Sequence, residues 1–164
     1  MNILQKNNHP KEKILIVGGS GLLGVNWALL KRFNYDITIG INNRLIKINH
    51  VFSIQLDTSN LTSIENAINK INPNIVINVA GITNVESCEK NVELANFVNI
   101  KLPKMLALLC NKHNIKMVQI STDHLTNGLL PYFDELCDPF PLNNYGYTKL
   151  MAENEVLNVC PRAL

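Results

Sequence analysis

Charge and aromatic rings are both scarce here: 17% of the 164 residues are charged and 6% are aromatic. The 15 basic and 13 acidic side chains leave a formal charge of +2. That charge is spread without a basic stripe, which argues against nucleic acid as a partner. Nothing approaches the roughly 20 uninterrupted apolar residues of a membrane span, because glycine or asparagine breaks every candidate, so no membrane partner is expected. The polar lead, residues 1–12, lacks the apolar core of a secretory signal. The four cysteines, Cys88, Cys110, Cys137 and Cys160, form no CxxC pair. That spacing excludes a zinc ribbon or a thioredoxin-type redox motif, so no metal is expected, and the thiols read as reduced groups of a cytoplasmic protein.

What is present is an apolar, asparagine-rich chain of one-domain length. Hydrophobic residues make up 46% of it and there are 25 dispersed asparagines, so a disordered or low-complexity reading fails. Short apolar runs read as buried strands at Lys13–Val17, Asp36–Ile41, Val51–Leu56, Asn74–Val79 and Lys116–Ser121. Between them, helical spacing of apolar residues predicts helices over Leu22–Phe33, Asn60–Ile71, Asn91–His113 and Asn143–Asn158, with a bend or break expected at Pro103. A loop runs from Thr122 to Leu142. Strands alternating with helices imply βαβ units. The expected fold is therefore a three-layer α/β/α, Rossmann-like, doubly wound parallel sheet over residues 13–164, with ligands at the carboxyl ends of the strands.

The first strand runs into Gly18-Gly19-Ser20-Gly21-Leu22-Leu23-Gly24. Gly18, Gly21 and Gly24 form a GxxGxxG array, while Gly19, Gly21 and Gly24 fit the GxGxxG register. Such glycines make a tight turn, let a pyrophosphate approach the backbone and let the helix sit close on the strand, while the helix N-terminus supplies free N–H groups. No Gly-Lys-Ser/Thr follows, which excludes a kinase-type phosphate loop. After the second strand the chain reads Gly40-Ile41-Asn42-Asn43-Arg44, with no acidic residue for a ribose 2′-hydroxyl but with an arginine suited to a 2′-phosphate. NADP is the expected cofactor, with NAD the alternative.

Tyr145 and Lys149 form a YxxxK pair whose spacing places both on one face of the last helix. A neighbouring ammonium stabilises a tyrosinate, so the phenol suits proton donation to a carbonyl oxygen, and the lysine can also bond the nicotinamide ribose. Ser121-Thr122-Asp123 ends the fifth strand, beside the start of that helix in such a fold. A hydroxyl there can bond the same oxygen.

With these motifs in this order, the sequence resembles the extended short-chain dehydrogenase/reductase superfamily, and within it the dTDP-4-dehydrorhamnose reductase family of sugar-nucleotide reductases. The resemblance is carried by VGGSGLLG (17–24), LDTSN (56–60), PNIVINVAGITNVESCE (73–89), FVN (97–99), STDHLTNG (121–128) and PLNNYGYTKLMAE (141–153). It implies that Gly21, Leu22 and Leu23 lie along the cofactor pyrophosphate, with Arg44 near the adenosine ribose and Asp57 and Thr58 flanking the adenine. It also implies that Ala80, Gly81 and Thr83 line the cofactor channel, with Asn99 on the neighbouring helix. Thr122, Tyr145 and Lys149 would be the catalytic set and Asp123 a substrate contact, in the reduction of a nucleotide-linked 4-keto sugar.

Two departures stand out. His124-Leu125-Thr126 replaces the aromatic–aliphatic–phenylalanine run usual in that family, on the loop facing the substrate. Such reductases also run to nearly twice this length, and their C-terminal half supplies most of the sugar pocket. This chain stops at Cys160–Leu164, where a sixth strand is expected to start, so exposed apolar surface and homo-oligomer formation are expected. Two alternatives remain open at this level. One is an NAD-dependent nucleotide-sugar epimerase or dehydratase. The other is a non-catalytic NADP-binding regulatory module, as in the similar regulatory subunit of methionine adenosyltransferase.

Overall fold

The computed structural model describes residues 10–129, 133–134 and 136–164; most of the polar lead and part of the 122–142 loop lie outside them. Five strands, β1 (Lys13–Val17), β2 (Asp36–Ile41), β3 (Phe52–Gln55), β4 (Ile75–Asn78) and β5 (Lys116–Gln119), form one sheet in the order β3-β2-β1-β4-β5. Every pairing is parallel. Parallel neighbours need crossovers: α1 (Leu22–Lys31) joins β1 to β2, and the segment 42–51, without a helix, joins β2 to β3. From β3, α2 (Leu61–Ile71) leads back to β4, and a helical stretch comprising α3 (Val85–Lys90), α4 (Val92–Asn96) and α5 (Leu102–Lys112) joins β4 to β5. The helix α6 (Asn144–Val159) follows β5. The order turns back between β1 and β4, so the crevice at their carboxyl ends is the switch point where ligands of such sheets bind.

Side-chain alternation along the strands divides the core in two. Leu15, Val17, Val76 and Met117 pack with Ile64 and Ile68 of α2, Leu106 and Leu109 of α5, and Val156 of α6. On the opposite face Ile14, Ile16, Ile37, Ile39 and Ile77 pack against α1 through Ala28. That face is thinly covered over β4 and β5, where Val79, Val118 and Ile120 are only partly buried. Leu22 and Leu30 of α1, and Phe33 just beyond it, are exposed.

The helix expected over 91–113 is broken earlier than at Pro103. A π-helical turn, Phe97–Lys101, separates α4 from α5, and Leu102 N–H donates to Phe97 O across it. Pro103 lacks an N–H for the carbonyl of Asn99 and its ring crowds that group, so the turn before it widens. Six-residue α3 was not expected from the sequence. At the other edge, Leu164 donates to Met117 O at 3.0 Å and accepts from Gln119 N–H at 2.7 Å, which places it alongside β5 where a sixth strand was expected.

Candidate functional site

The glycine turn is resolved into roles by its neighbours. Gly18 has φ +80°, and a Cβ there would stand 2.7 Å from the backbone of Ala80 across the switch point, so this position requires glycine. A Cβ on Gly24 would meet Gly19 Cα at 2.8 Å, so Gly24 is what allows α1 to approach the turn. At Gly21 the nearest atom to such a Cβ is Gly18 O at 3.3 Å, and the residue is open to solvent. Gly21 is the N-cap of α1 and offers no side-chain cap. The first-turn amides of Leu22 and Leu23 therefore remain free to hold an anion. The GxxGxxG register of 18, 21 and 24 matches these three jobs, and Gly19 instead packs on Ile39.

The sites expected at the adenosine end are exposed. Arg44 is solvent-accessible beyond β2, with no acidic neighbour in Ile41–Leu45. Asp57 accepts from Ser59 N–H at 2.8 Å and from Asn60 Nδ2 at 3.2 Å. Hydrogen bonding from Ser59 holds its carboxyl below the usual range. Thr58 beside it is half-buried.

At the other end of the crevice, Tyr145 is 8% and Lys149 6% exposed, one turn apart on α6. Lys149 Nζ donates to Ile120 O, at the end of β5. Burial lowers its pKa, opposed by the charge of Glu153. Thr122 Oγ1 accepts from His124 N–H at 3.3 Å, and the His124 ring lies 5.3 Å from that of Tyr145. Thr122 caps a 3-10 turn over Asp123–Leu125, and His124 of that turn is what packs on Tyr145. A cavity of about 420 Å³ opens on the Thr122 side of that turn, lined by Thr122, Asp123, Phe133, Asp134 and Glu153 among others but by neither Tyr145 nor Lys149. Ser121 carries the one buried side-chain polar atom without a partner among the described residues.

Asn99 lies behind that crevice. It was expected beside the cofactor, and it is 1% exposed with three of its hydrogen-bonding positions taken by the protein. Its Oδ1 accepts from Ile82 N–H at 2.8 Å, while Nδ2 donates to Ile82 O and to Thr148 Oγ1, both at 3.0 Å. Its side chain ties the Ala80–Ile82 segment to α6. On that segment Gly81 is exposed and Ala80 half-buried, and Thr83 just after it is exposed.

Other tethers carry no local sequence signal. Asn78 Nδ2 donates to Gln119 Oε1 at 2.8 Å, pinning β4 to β5 below the crevice. Glu89 of α3 accepts from the backbone and side chain of Asn144, which holds the start of α6. Asn143 was legible as a helix start; it caps α6 by accepting from Gly146 N–H at 2.8 Å.

The architecture has known counterparts. The chain is similar to a dTDP-4-dehydrorhamnose reductase from Bacillus anthracis str. Ames, solved in complex with NADP, with a TM-score of 0.81 and 28% identity over 95% of this chain and 52% of that one. It is 29% identical to the dTDP-4-dehydrorhamnose reductase of Salmonella typhimurium strain LT2, over 92% of this chain and 48% of the relative. It is also 28% identical to methionine adenosyltransferase 2 subunit beta of Danio rerio, over 94% of this chain and 46% of the relative. The chain therefore spans about half the length of the relatives it matches. Among the described residues, no helix is long and apolar enough to cross a membrane. The RmlD substrate binding domain model matches residues 12–164, and the chain belongs to that family.

Proposed function

We propose that this chain is the cofactor-binding half of an NADPH-dependent reductase of a nucleotide-linked 4-keto sugar, of the kind that dTDP-4-dehydrorhamnose represents. What supports this reading is that the turn capped by Thr122 packs on Tyr145, and Lys149 bonds Ile120 O, at the carboxyl end of the sheet that also presents the uncapped glycine turn. The cradle fits a dinucleotide. Gly21 leaves room for a pyrophosphate against the amides of Leu22 and Leu23, and Gly18 lets the chain after β4 come close. Arg44 suits a 2′-phosphate, with Asp57 and Thr58 at the adenine and Ala80, Gly81 and Thr83 along the channel.

When bound, the reduced nicotinamide supplies a hydride. The chain's own residues supply the rest. Thr122 and Tyr145 present two hydroxyls to a carbonyl oxygen near Asp123, and the Tyr145 phenol gives up its proton as charge develops there. Lys149 spends one of its three N–H donors on Ile120 O, which leaves two for the ribose and for the phenolate left behind. Asn99 acts by holding the loop and α6 at their distance. The remainder of the sugar-nucleotide pocket belongs to the part of the family's length that this chain does not span. The four free thiols, three of them buried, suit the reducing cytoplasm. The exposed leucines of α1 favour a homo-oligomer.

Fluorescence titration with NADPH and NADH tests the cofactor site: NADPH binds more tightly, and well-folded protein that binds neither overturns the reading. In protein extended to the family's full length, Tyr145→Phe keeps NADPH affinity within about threefold and lowers turnover of dTDP-4-dehydrorhamnose by about a thousandfold. Unchanged turnover removes Tyr145 from its role.

A further inference from the structure

We propose that His124 is a positioning residue for the Tyr145 proton donor, working as a neutral imidazole protonated on Nε2. The inference rests on the reductase reading for its purpose, though not for its geometry. His124 touches three parts of the site at once. Its ring meets that of Tyr145 edge-on, with centroids 5.3 Å apart and planes at 70°. Its N–H donates to Thr122 Oγ1 at 3.3 Å. Its Nδ1 lies 3.4 Å from Asn143 Nδ2.

The cap of α6 decides which ring nitrogen carries the proton. Asn143 Oδ1 is committed to Gly146 N–H at 2.8 Å, so the amide end turned toward His124 is the NH₂ group. An NH₂ group only donates, hence Nδ1 must accept and the proton sits on Nε2. The carbonyl of His124 presses so closely on Gly146 that a Cβ at that position has no room. The 3-10 turn is thereby seated on the first turn of α6, which keeps the His124 backbone beside Tyr145. An edge-to-face pair fixes the plane of the tyrosine ring more narrowly than aliphatic packing does. Ring plane and hydroxyl direction are coupled, so His124 aims the proton that Tyr145 donates.

The ring proton is located by NMR of protein carrying ¹⁵N-histidine, with His124 assigned by the signal missing in His124→Phe. The expected result is the Nε2–H tautomer in the wild-type protein and a switch to Nδ1–H in Asn143→Asp, which keeps a capping oxygen and presents an acceptor. Wild-type protein with the proton on Nδ1 overturns the proposal. ¹³C-tyrosine spectra read the second half: His124→Ala broadens or shifts the Tyr145 ring signals, and His124→Phe restores them. Tyr145 signals that respond equally to both substitutions overturn it too.

Both readouts need neither cofactor nor turnover. Failure to bind NADPH would therefore sink the reductase reading and leave this inference to be judged alone. In full-length protein with activity, His124→Ala lowers kcat about tenfold with KM nearly unchanged, and His124→Phe recovers most of it. A loss confined to KM marks His124 as a substrate contact instead and overturns the proposal.

Discussion

The two ends of the parallel sheet are built from similar residues to opposite purposes. At the amino end, polar groups are used up. Asn74 accepts from Lys13 N–H through its side chain at 2.8 Å, donates its own N–H to Lys13 O and receives Lys116 N–H on its carbonyl. Asn72 closes α2 in the left-handed region, with φ 49°, and Pro73 prevents the helix from continuing. Arg162 reaches Asn114 at 2.8 Å. At the carboxyl end, donors are left uncommitted: the amides of Leu22 and Leu23, the hydroxyl of Ser121 and two protons of a buried lysine. An end that is satisfied contributes stability, while an end held open for a ligand gives some of it up.

Substitutions at the two ends should therefore separate binding from folding. The largest effect is expected at Gly18. An added methyl meets the Ala80 backbone at 2.7 Å in a conformation that side chains rarely adopt. Gly18→Ala should cost about 2–4 kcal/mol of unfolding free energy and abolish NADPH binding together with it. Chemical denaturation paired with NADPH titration measures both. Full binding by the variant would show that the turn does not depend on the switch-point contact.

Lys149 sharpens the contrast, because there the two properties move in opposite directions. Burial disfavours its charge and lowers its pKa. Between the folded value and the ordinary 10.5, the unfolded chain holds a proton that the folded chain has released. Stability on this account rises with pH across that window, and below it the penalty is fully present. Lys149→Met should raise the unfolding free energy near neutral pH by about 1–3 kcal/mol and remove that alkaline rise, while weakening NADPH binding and ending turnover. Denaturant melts from neutral to alkaline pH decide it. A less stable variant would mean that the bond to Ile120 O outweighs the desolvation.

Much of this contrast was legible beforehand, for a physical reason. Strand β1 follows an apolar run and β2 an isoleucine alternation, each ended by turn residues, and their bounds in the structure coincide with those stretches. The glycine array and the YxxxK pair are local patterns, so their positions at strand and helix ends followed from spacing. What escaped is long-range or weakly patterned. Helix α3 is six residues, mostly polar, and buries only Cys88. The role of Asn99 depends on Ile82 and on Thr148, 49 residues away, and no periodicity encodes such a pairing. The π-helical turn arises from Pro103 acting one turn upstream, which a proline in a sequence announces only as a break.

The smallest effect, at Asn72, is the one that tests whether the ends are independent. Its backbone N–H donates to Ile68 O at 2.7 Å while its φ of 49° places Cβ close to the following carbonyl. Asparagine tolerates this conformation better than alanine, and glycine tolerates it without steric strain. Asn72→Ala should therefore lose about 1 kcal/mol, and Asn72→Gly should hold the wild-type value or exceed it slightly. Neither change touches the crevice, which lies a full strand length away along β4, so NADPH affinity should stay within about twofold for both. Should Asn72→Ala weaken NADPH binding well beyond that while still fully folded, strain would be passing along β4 to Ala80. The carboxyl end would then owe its geometry to the amino end, and the division of labour along the sheet would be wrong.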